Sequence, residues 1–246
     1  MAVRPVGFGS LIVLSALVAS ATAQEARIRL GSRRGFGGLD VASTTDLAAF
    51  ALKVDRERCS IDGHRGRCYD LVVRFWLPGD NMAARVKRDH VPYDVWVRDG
   101  WITLTGGNRI DQRAIVRDIA KLGTHIRAVG IDRWNTAWLT PALQDEGFEV
   151  VEVGQGYASM SAPAKRVEAD IAGELVHHEG NPVLVWMVAN AAAEEDPAGN
   201  IKPSKEKSIE KIDGVAAWCD ALFAEANADL EDDFESAYAQ PRSLEL

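Results

Sequence analysis

Three apolar runs with strand character open the continuous globular pattern of the chain, and each is too short to be a helix of ordinary length. FGGLDVAS (36–43) and LAAFALKV (47–54) meet at the tight polar turn Thr44-Thr45-Asp46. YDLVVRFWL (69–77) follows a loop punctuated by Gly63 and Gly66. Apolar, β-branched and aromatic residues bounded by polar and glycine clusters are strand and hairpin signals. The pattern then changes. After a short extended piece, WITLT (101–105), the residues Ile115, Val116, Ile119 and Leu122 fall at helical spacing within Ile110–Leu122. IRAVGID (126–132) reads as a buried strand, Thr136–Gln144 as a helix and FEVVEVG (148–154) as a strand. Ala164–His177 and Pro182–Ala193 are expected helices. Ser208–Ala226 places Ile212, Val215, Ala216, Cys219, Leu222 and Phe223 on one helical face.

Early strands joined by turns, then strands separated by helices, imply a mixed sheet covered by helices on its faces. The expected class is α/β, and the ribonuclease H-like fold has this order of elements. A chain of 246 residues buries one good core. Its net charge of −8 argues against a protein that coats nucleic acid through its overall field, but leaves room for a local basic patch. The excess acid is partly local: Glu225, Asp229, Glu231, Asp232, Asp233 and Glu235 occur without an intervening Lys or Arg, so 227–246 reads as an acidic C-terminal tail. Cys59, Cys68 and Cys219 are too few for a disulfide framework. Cys59, His64 and Cys68 lack a fourth metal ligand nearby and read as flanks of a hairpin tip, while Cys219 reads as core. Residues 1–24, MAVRPVGFGSLIVLSALVASATAQ, look like a secretory signal ending in Ala21-Thr22-Ala23, too short to span a membrane comfortably.

Three acids stand at the ends of elements. Asp40 follows Gly37-Gly38-Leu39, Asp132 follows Val129-Gly130-Ile131, and Asp213 opens the last helix in Lys211-Ile212-Asp213-Gly214. Strand alternation turns each strand Asp away from the side of its apolar neighbour. Adjacent parallel strands would bring Asp40 and Asp132 within several Å of each other, and a helix packed across the sheet would add Asp213. Three clustered carboxylates repel one another unless divalent ions relieve them, and hard oxygen ligands select Mg²⁺ or Mn²⁺. Each Asp alone is equally read as a turn or helix cap, and spacing does not decide between the readings.

The strings around these acids add a resemblance. GGLDVASTTDLAAFAL, FWLPGDNMAARVKRDHVPYDVWVRDGWITLTGG, GIDRWN, VGQGYASMSAPAKRVE, HHEGNPVLVWMVAN and GNIKPSKEKSIEKIDGVAAW together resemble the nuclease half of tailed-phage terminase large subunits, in that family's order, across 34–226. The resemblance implies a ribonuclease H-like endonuclease that cuts concatemeric phage DNA with two divalent ions, Mg²⁺ or Mn²⁺. The family's catalytic, metal-binding acids fall on Asp40, Asp132 and Asp213, and Asp46 lies within the first motif, where it would orient a metal or cap its own turn. Double-stranded DNA is the implied substrate. The implied partners are a terminase small subunit, a portal and a separately encoded ATPase, in the cytoplasm of a bacterial host with no stable membrane association.

The motor half of the family departs here: no G-x-x-x-x-G-K-[ST] phosphate loop occurs in the sequence, so this chain is not expected to drive ATP-powered translocation by itself. The alternatives are a prophage remnant or packaging-complex interaction module without catalysis, and a secreted nuclease if the leader is genuine. Lys202, Lys205, Lys207 and Lys211, against Glu206 and Glu210, form a basic stretch just before Asp213 that would face DNA phosphates or simply be solvated. Gln155-Gly156 follows a strand and would approach the DNA backbone or make a plain turn. His177-His178 face different directions on any helix and read as structural. Because the strand pattern begins only near Phe36, deleting Met1–Gln24 is expected to leave a folded, monodisperse protein, checked by circular dichroism and size-exclusion chromatography. A truncated chain that fails to fold beside a soluble full-length one would overturn that boundary.

Overall fold

The computed structural model describes residues 30, 33–41, 45–56, 68–80, 82–122 and 125–238, without the side chains of 135–137 and of those beyond 228. The leader, Thr44, Cys59, His64 and the end of the chain after Tyr238 lie outside these residues. Among the described residues seven strands form one sheet. β1 (Arg34–Val41), β2 (Ala48–Asp55) and β3 (Tyr69–Pro78) are consecutive antiparallel neighbours. β5 (His125–Asp132) adds to β1 in parallel, and β6 (Glu149–Val153) adds to β5 in parallel. β4 (Ile102–Thr105) and the two-residue β7 (Val176–His177) both pair with β3. A separate hairpin joins β8 (Ala193–Glu195) to β9 (Ile201–Pro203).

Among the described residues seven helices accompany the sheet: α1 (Met82–Asp89), α2 (Tyr93–Arg98), α3 (Gln112–Ala120), α4 (Thr136–Asp145), α5 (Tyr157–Ala172), α6 (Pro182–Asn190) and α7 (Asp213–Tyr238). Strand alternation divides the core into two layers. Ala49 and Ala51 of β2, Leu47 just before it, and Leu71, Val73 and Phe75 of β3 pack with α5, α6 and α7. Ala48, Phe50 and Leu52, with Leu39 and Val41 of β1, pack with Ile115 and Ile119 of α3 and Leu139 and Leu143 of α4. Because both faces of the central strands are covered, they read as continuous apolar runs rather than clean alternations.

The strands and the α3, α4 and α6 helices follow the sequence reading closely. Elsewhere the structure differs. The helix expected at Ala164–His177 starts at Tyr157 and runs through Pro163, with Gly156 preceding it. It stops at Gly173, and Glu174 takes a left-handed φ of 53°, so His177 belongs to β7. The last helix begins at Asp213 rather than Ser208 and continues past Ala226 to Tyr238. The α1 and α2 helices and the β8–β9 hairpin were not anticipated. Among the described residues no helix is long and apolar enough to cross a membrane.

The packing of α7 is the tightest contact of the fold. Gly38 of β1 and Gly130 of β5 lie side by side in register. A Cβ at Gly38 would sit 2.0 Å from the Ala217 carbonyl oxygen and 2.3 Å from the Ala221 nitrogen, and one at Gly130 would sit 2.3 Å from the Asp220 carbonyl oxygen. The helix answers with small residues, Ala216, Ala217, Ala221 and Ala224, all buried. Glycine is therefore required here for backbone approach, not for a turn. Gly38→Ala is expected to destabilise the fold by about 3 kcal/mol or more, or to prevent folding, because backbone must move to admit the methyl group. Gly106→Ala, with nothing within 4 Å of its added Cβ, is expected to change stability by less than about 0.5 kcal/mol. Denaturant unfolding of both variants checks the contrast, and equal effects would show that α7 does not hold this approach in solution.

Candidate active site

The register of β1 on β5 fixes the first pair of acids. Leu39 aligns with Ile131, so Asp40 and Asp132 come next on adjacent parallel strands at the same end of the sheet. Both follow their glycine by two residues, so both face α7, as alternation requires. Asp213 is the first residue of α7, and the glycine-lined approach of that helix brings it to the same place. Asp40 and Asp213 are 7% and 5% exposed, burial that is unusual for carboxylates and needs compensating charge.

Part of that charge is Lys205, in the turn after β9. Its Nζ lies 2.7 Å from Asp40 Oδ2 and 2.9 Å from Asp213 Oδ1, so one ammonium bridges acids from opposite ends of the domain. Asp40 nevertheless has its pKa raised from 3.8 to about 6. Burial is the main cause, and the nearby Asp213 and Asp132 carboxylates add to it, while Lys205 opposes the shift. The two acids hold the Lys205 proton more firmly than usual, against the effect of its burial. Asp132 accepts a hydrogen bond from the Trp134 backbone N–H at 3.1 Å through Oδ1. It thus also caps the short 3₁₀ turn at Arg133–Asn135. Among the described residues, no three His, Cys, Asp or Glu side chains converge closely enough, as arranged, to share one ion.

The other expected residues divide. Asp46 shares a cavity of about 270 Å³ with Lys205, Ser208, Lys211 and Asp213, and so lies at the rim of the acid cluster. Its Oδ1 accepts from the Leu47 backbone N–H at 2.8 Å, and its carboxylate pairs with Lys211 Nζ at 2.5 Å. Both the turn role and a place beside the cluster are therefore realised. Lys202 and Lys207 instead pair with Glu194 of the hairpin, at 3.4 and 3.9 Å. The basic stretch is thus tied down within the chain: two of its lysines reach the acids beside the cleft, and two hold the hairpin. Gln155 is half-buried in the bend between β6 and α5, beyond the strand end where Val153 pairs with Asp132. His178 is 1% exposed, in keeping with a structural role.

Two residues near the cluster escaped the sequence reading. Arg85 of α1 donates through Nη2 to the Thr45 carbonyl oxygen at 2.9 Å and approaches Asp46 at 3.8 Å, adding positive charge to the rim. Asp220, two helical turns after Asp213, is 1% exposed. Burial, and after it the fields of Asp40 and Asp132, push its pKa well above the usual carboxylate range, with Lys205 opposing. A cavity of about 480 Å³ between α3 and α4, lined by Arg113, Arg117 and Trp138, opens on the other face of the sheet, away from these acids.

A mixed sheet that presents acids from two adjacent parallel strands and a crossing helix is the arrangement expected of the family named above. Residues 36–229 match the family model for the terminase large subunit, endonuclease domain. The chain belongs to that family. It is 31% identical over 219 residues to the large terminase subunit of Enterobacteria phage HK97, across 86% of this chain and 42% of that protein. It is 33% identical over 210 residues to Protein YmfN of Escherichia coli (strain K12), across 80% of this chain and 45% of that one. The crystal structure of the HK97 bacteriophage large terminase matches 90% of this chain and 44% of its own, with a TM-score of 0.75 at 30% identity. The terminase nuclease domain therefore has the ribonuclease H-like fold expected from its sequence, and the chain spans less than half the length of these relatives.

The titration of Asp40 gives the terminase nuclease domain a measurable signature. A buried acid whose folded pKa (about 6) exceeds its ordinary value (3.8) binds protons better in the folded state. Its stabilising contribution is full below about pH 4 and is lost as pH rises through 6. Without divalent ions, Asp40→Asn is thus expected to melt at the same temperature as the parent at pH 4. It should melt roughly 5 °C higher at pH 8. Thermal melts between pH 4 and 8 check this, and a difference independent of pH would show that Asp40 ionises freely.

Proposed function

We propose that this domain is a divalent-ion-dependent endonuclease acting on double-stranded DNA during phage genome packaging, with Asp40, Asp132 and Asp213 as its catalytic ion ligands. One observation carries the reading: in a member of the terminase endonuclease family, three carboxylates far apart in sequence stand at one end of the sheet, where Asp213 and Asp132 both act on Asp40. Their chemistry fits the group. All three offer hard oxygen donors, which suit Mg²⁺ or Mn²⁺. Lys205 supports the fit, since its ammonium already stands as a cation between Asp40 and Asp213.

When bound, two divalent ions would supply the charge that activates water and stabilises the leaving oxygen as the phosphodiester P–O bond breaks. Asp40, Asp132 and Asp213 hold that charge at the end of the sheet. Once ions take over the carboxylates, the Lys205 ammonium, now held by Asp40 and Asp213, would be free to pair with a phosphate oxygen at the same cleft. Lys211 and Asp46 line its rim, and Gln155, in the β6–α5 bend, would approach the DNA backbone. Lys202 and Lys207 steady the hairpin that carries Lys205, and add positive charge along the path of the DNA backbone. The site's work would be done in the host cytoplasm beside the packaging partners, namely a small subunit, a portal and an ATPase.

Asp40→Asn, Asp132→Asn and Asp213→Asn separate ligands from caps, since asparagine preserves shape and caps nearly as well as aspartate. Each is expected to keep its fold and to lose DNA cleavage by roughly two orders of magnitude or more. Mn²⁺ should raise the parent's melting temperature by mass action and the variants' less. Cleavage assays on plasmid DNA with Mn²⁺, Mg²⁺ or EDTA, read beside melting curves, check all three. A folded variant that cuts at the parent's rate would remove that acid from the site, and undiminished cutting in excess EDTA would overturn the ion mechanism.

A further inference from the structure

Asp220 is the most anomalous polar residue of the described structure. It lies seven residues after Asp213, so the two project from the same face of α7 two turns apart. Its backbone lies over the paired glycines, with its carbonyl oxygen 2.3 Å from where a Gly130 Cβ would be and its carbonyl carbon 2.9 Å from a Gly38 Cβ. Two residues further along those strands, on the same side of the sheet, stand Asp40 and Asp132. Asp220 therefore lies on the floor behind the two strand acids, close enough for their charges to act on it.

Nothing structural accounts for a carboxyl group in that position. Its residue is 1% exposed, and Oδ1 is fully enclosed with no hydrogen-bond partner among the described residues. Lys205, the cation of the cluster, reaches Asp40 and Asp213 and makes no ion pair with Asp220. It caps no helix, because it sits inside α7. The close approach of helix to sheet asks only for a small side chain, and Ala216, Ala217, Ala221 and Ala224 already supply that around it. A buried acid with an unanswered oxygen, facing two other carboxylates, is what a site built to receive positive charge would contain.

We propose that Asp220 is a fourth acid of the divalent-ion site, lying beneath Asp40 and Asp132 as a positioning residue that supplies negative charge and a buried acceptor to the loaded site. This rests on the reading of Asp40, Asp132 and Asp213 as ion ligands. Divalent ions at the strand acids reverse the field at Asp220 from repulsive to attractive, so ion binding and the Asp220 carboxylate favour one another. The carboxylate also orients the strand acids from behind, as outer groups orient ligands in metal sites.

The test measures Mn²⁺ binding to the full chain by calorimetry and by thermal shift, in Asp220→Asn and in the smaller Asp220→Ala, which matches its alanine neighbours. Both variants are expected to keep the parent's circular dichroism spectrum and to bind Mn²⁺ about 10–100-fold more weakly, with a smaller Mn²⁺-induced rise in melting temperature. Mn²⁺ affinity within twofold of the parent, in either folded variant, would overturn the proposal and leave Asp220 a structural oddity. Failure of both variants to fold would overturn it as well, by making the carboxyl a requirement of packing. Asp40→Asn and Asp213→Asn serve as controls. If they lose Mn²⁺ binding while the Asp220 variants keep it, only the Asp220 inference fails. If the parent itself binds no Mn²⁺, the ion-site reading fails with it.

Discussion

The contact on which the rest of the site depends contains no side chain at all on one of its sides. Gly38 and Gly130, adjacent on β1 and β5, let the backbone of α7 descend onto the sheet between Ala217 and Ala221. Dense packing transmits position, so a helix seated this closely has little freedom to slide or tilt. Its seat is reinforced along the helix. Trp218 Nε1 donates to Tyr69 Oη at 3.1 Å, and Tyr69 Oη donates to Asp170 Oδ2 at 2.8 Å. Further along, Glu225 pairs with the buried Lys53 of β2. With these ties made, Asp213 has one place to be, at the ends of the two central strands.

The same contact explains why the acids must be few and specifically compensated. Strand alternation puts Gly38, Asp40, Gly130 and Asp132 all on the α7 side. The surface that must be bare to admit the helix therefore continues, one step along each strand, into the surface that carries charge. Apolar close packing and a charged cleft are neighbours with only Asp220 between them. That neighbourhood is why burial dominates the shifts at Asp40 and Asp220. The hairpin β8–β9 and its following turn have one evident role in this frame, which is to deliver Lys205 to the carboxylates of Asp40 and Asp213.

Much of the fold could be read from the sequence because hydrophobic pattern alone decides strands that are buried on both faces. FGGLDVAS, LAAFALKV and IRAVGID could hardly be anything else, and their order implied the mixed sheet. The placements of Asp40 and Asp132 followed from that order, since adjacent parallel strands align their ends. The misses have physical causes. MAARVKRD forms α1 without fully burying a single residue, and only Met82 and Val86 lean on the core, too short an apolar pattern to mark a helix. Pro163 suggests the start of a helix, yet it lies buried inside α5. Gly38 and Gly130 look like ordinary strand glycines until the helix that needs them is in view. Asp220 was invisible for the same reason: an acid among alanines in an amphipathic helix reads as solvent-facing. The lysine run was legible as charge but not as pairing, because its partners Asp40, Asp46, Glu194 and Asp213 come from separate parts of the chain.

The charge balance of the cleft ties these features to the proposed chemistry. Asp40, Asp132, Asp213 and Asp220 crowd one end of the sheet, and a single ammonium, Lys205, bonds two of them. One positive charge shared between two carboxylates leaves the group short of neutrality. Low local polarisability makes that shortfall more costly than it would be in water. At Asp40 and Asp220 burial raises the pKa, which suppresses charge rather than pairing it. Divalent ions offer the other solution, since each carries twice the charge of Lys205 in a smaller volume and accepts several oxygens at once. A chain of net charge −8 can then hold a polyanion at this one cleft. Screening confines its other acids to about 8 Å of influence at physiological salt, while bound ions and the lysines beside them would act at contact.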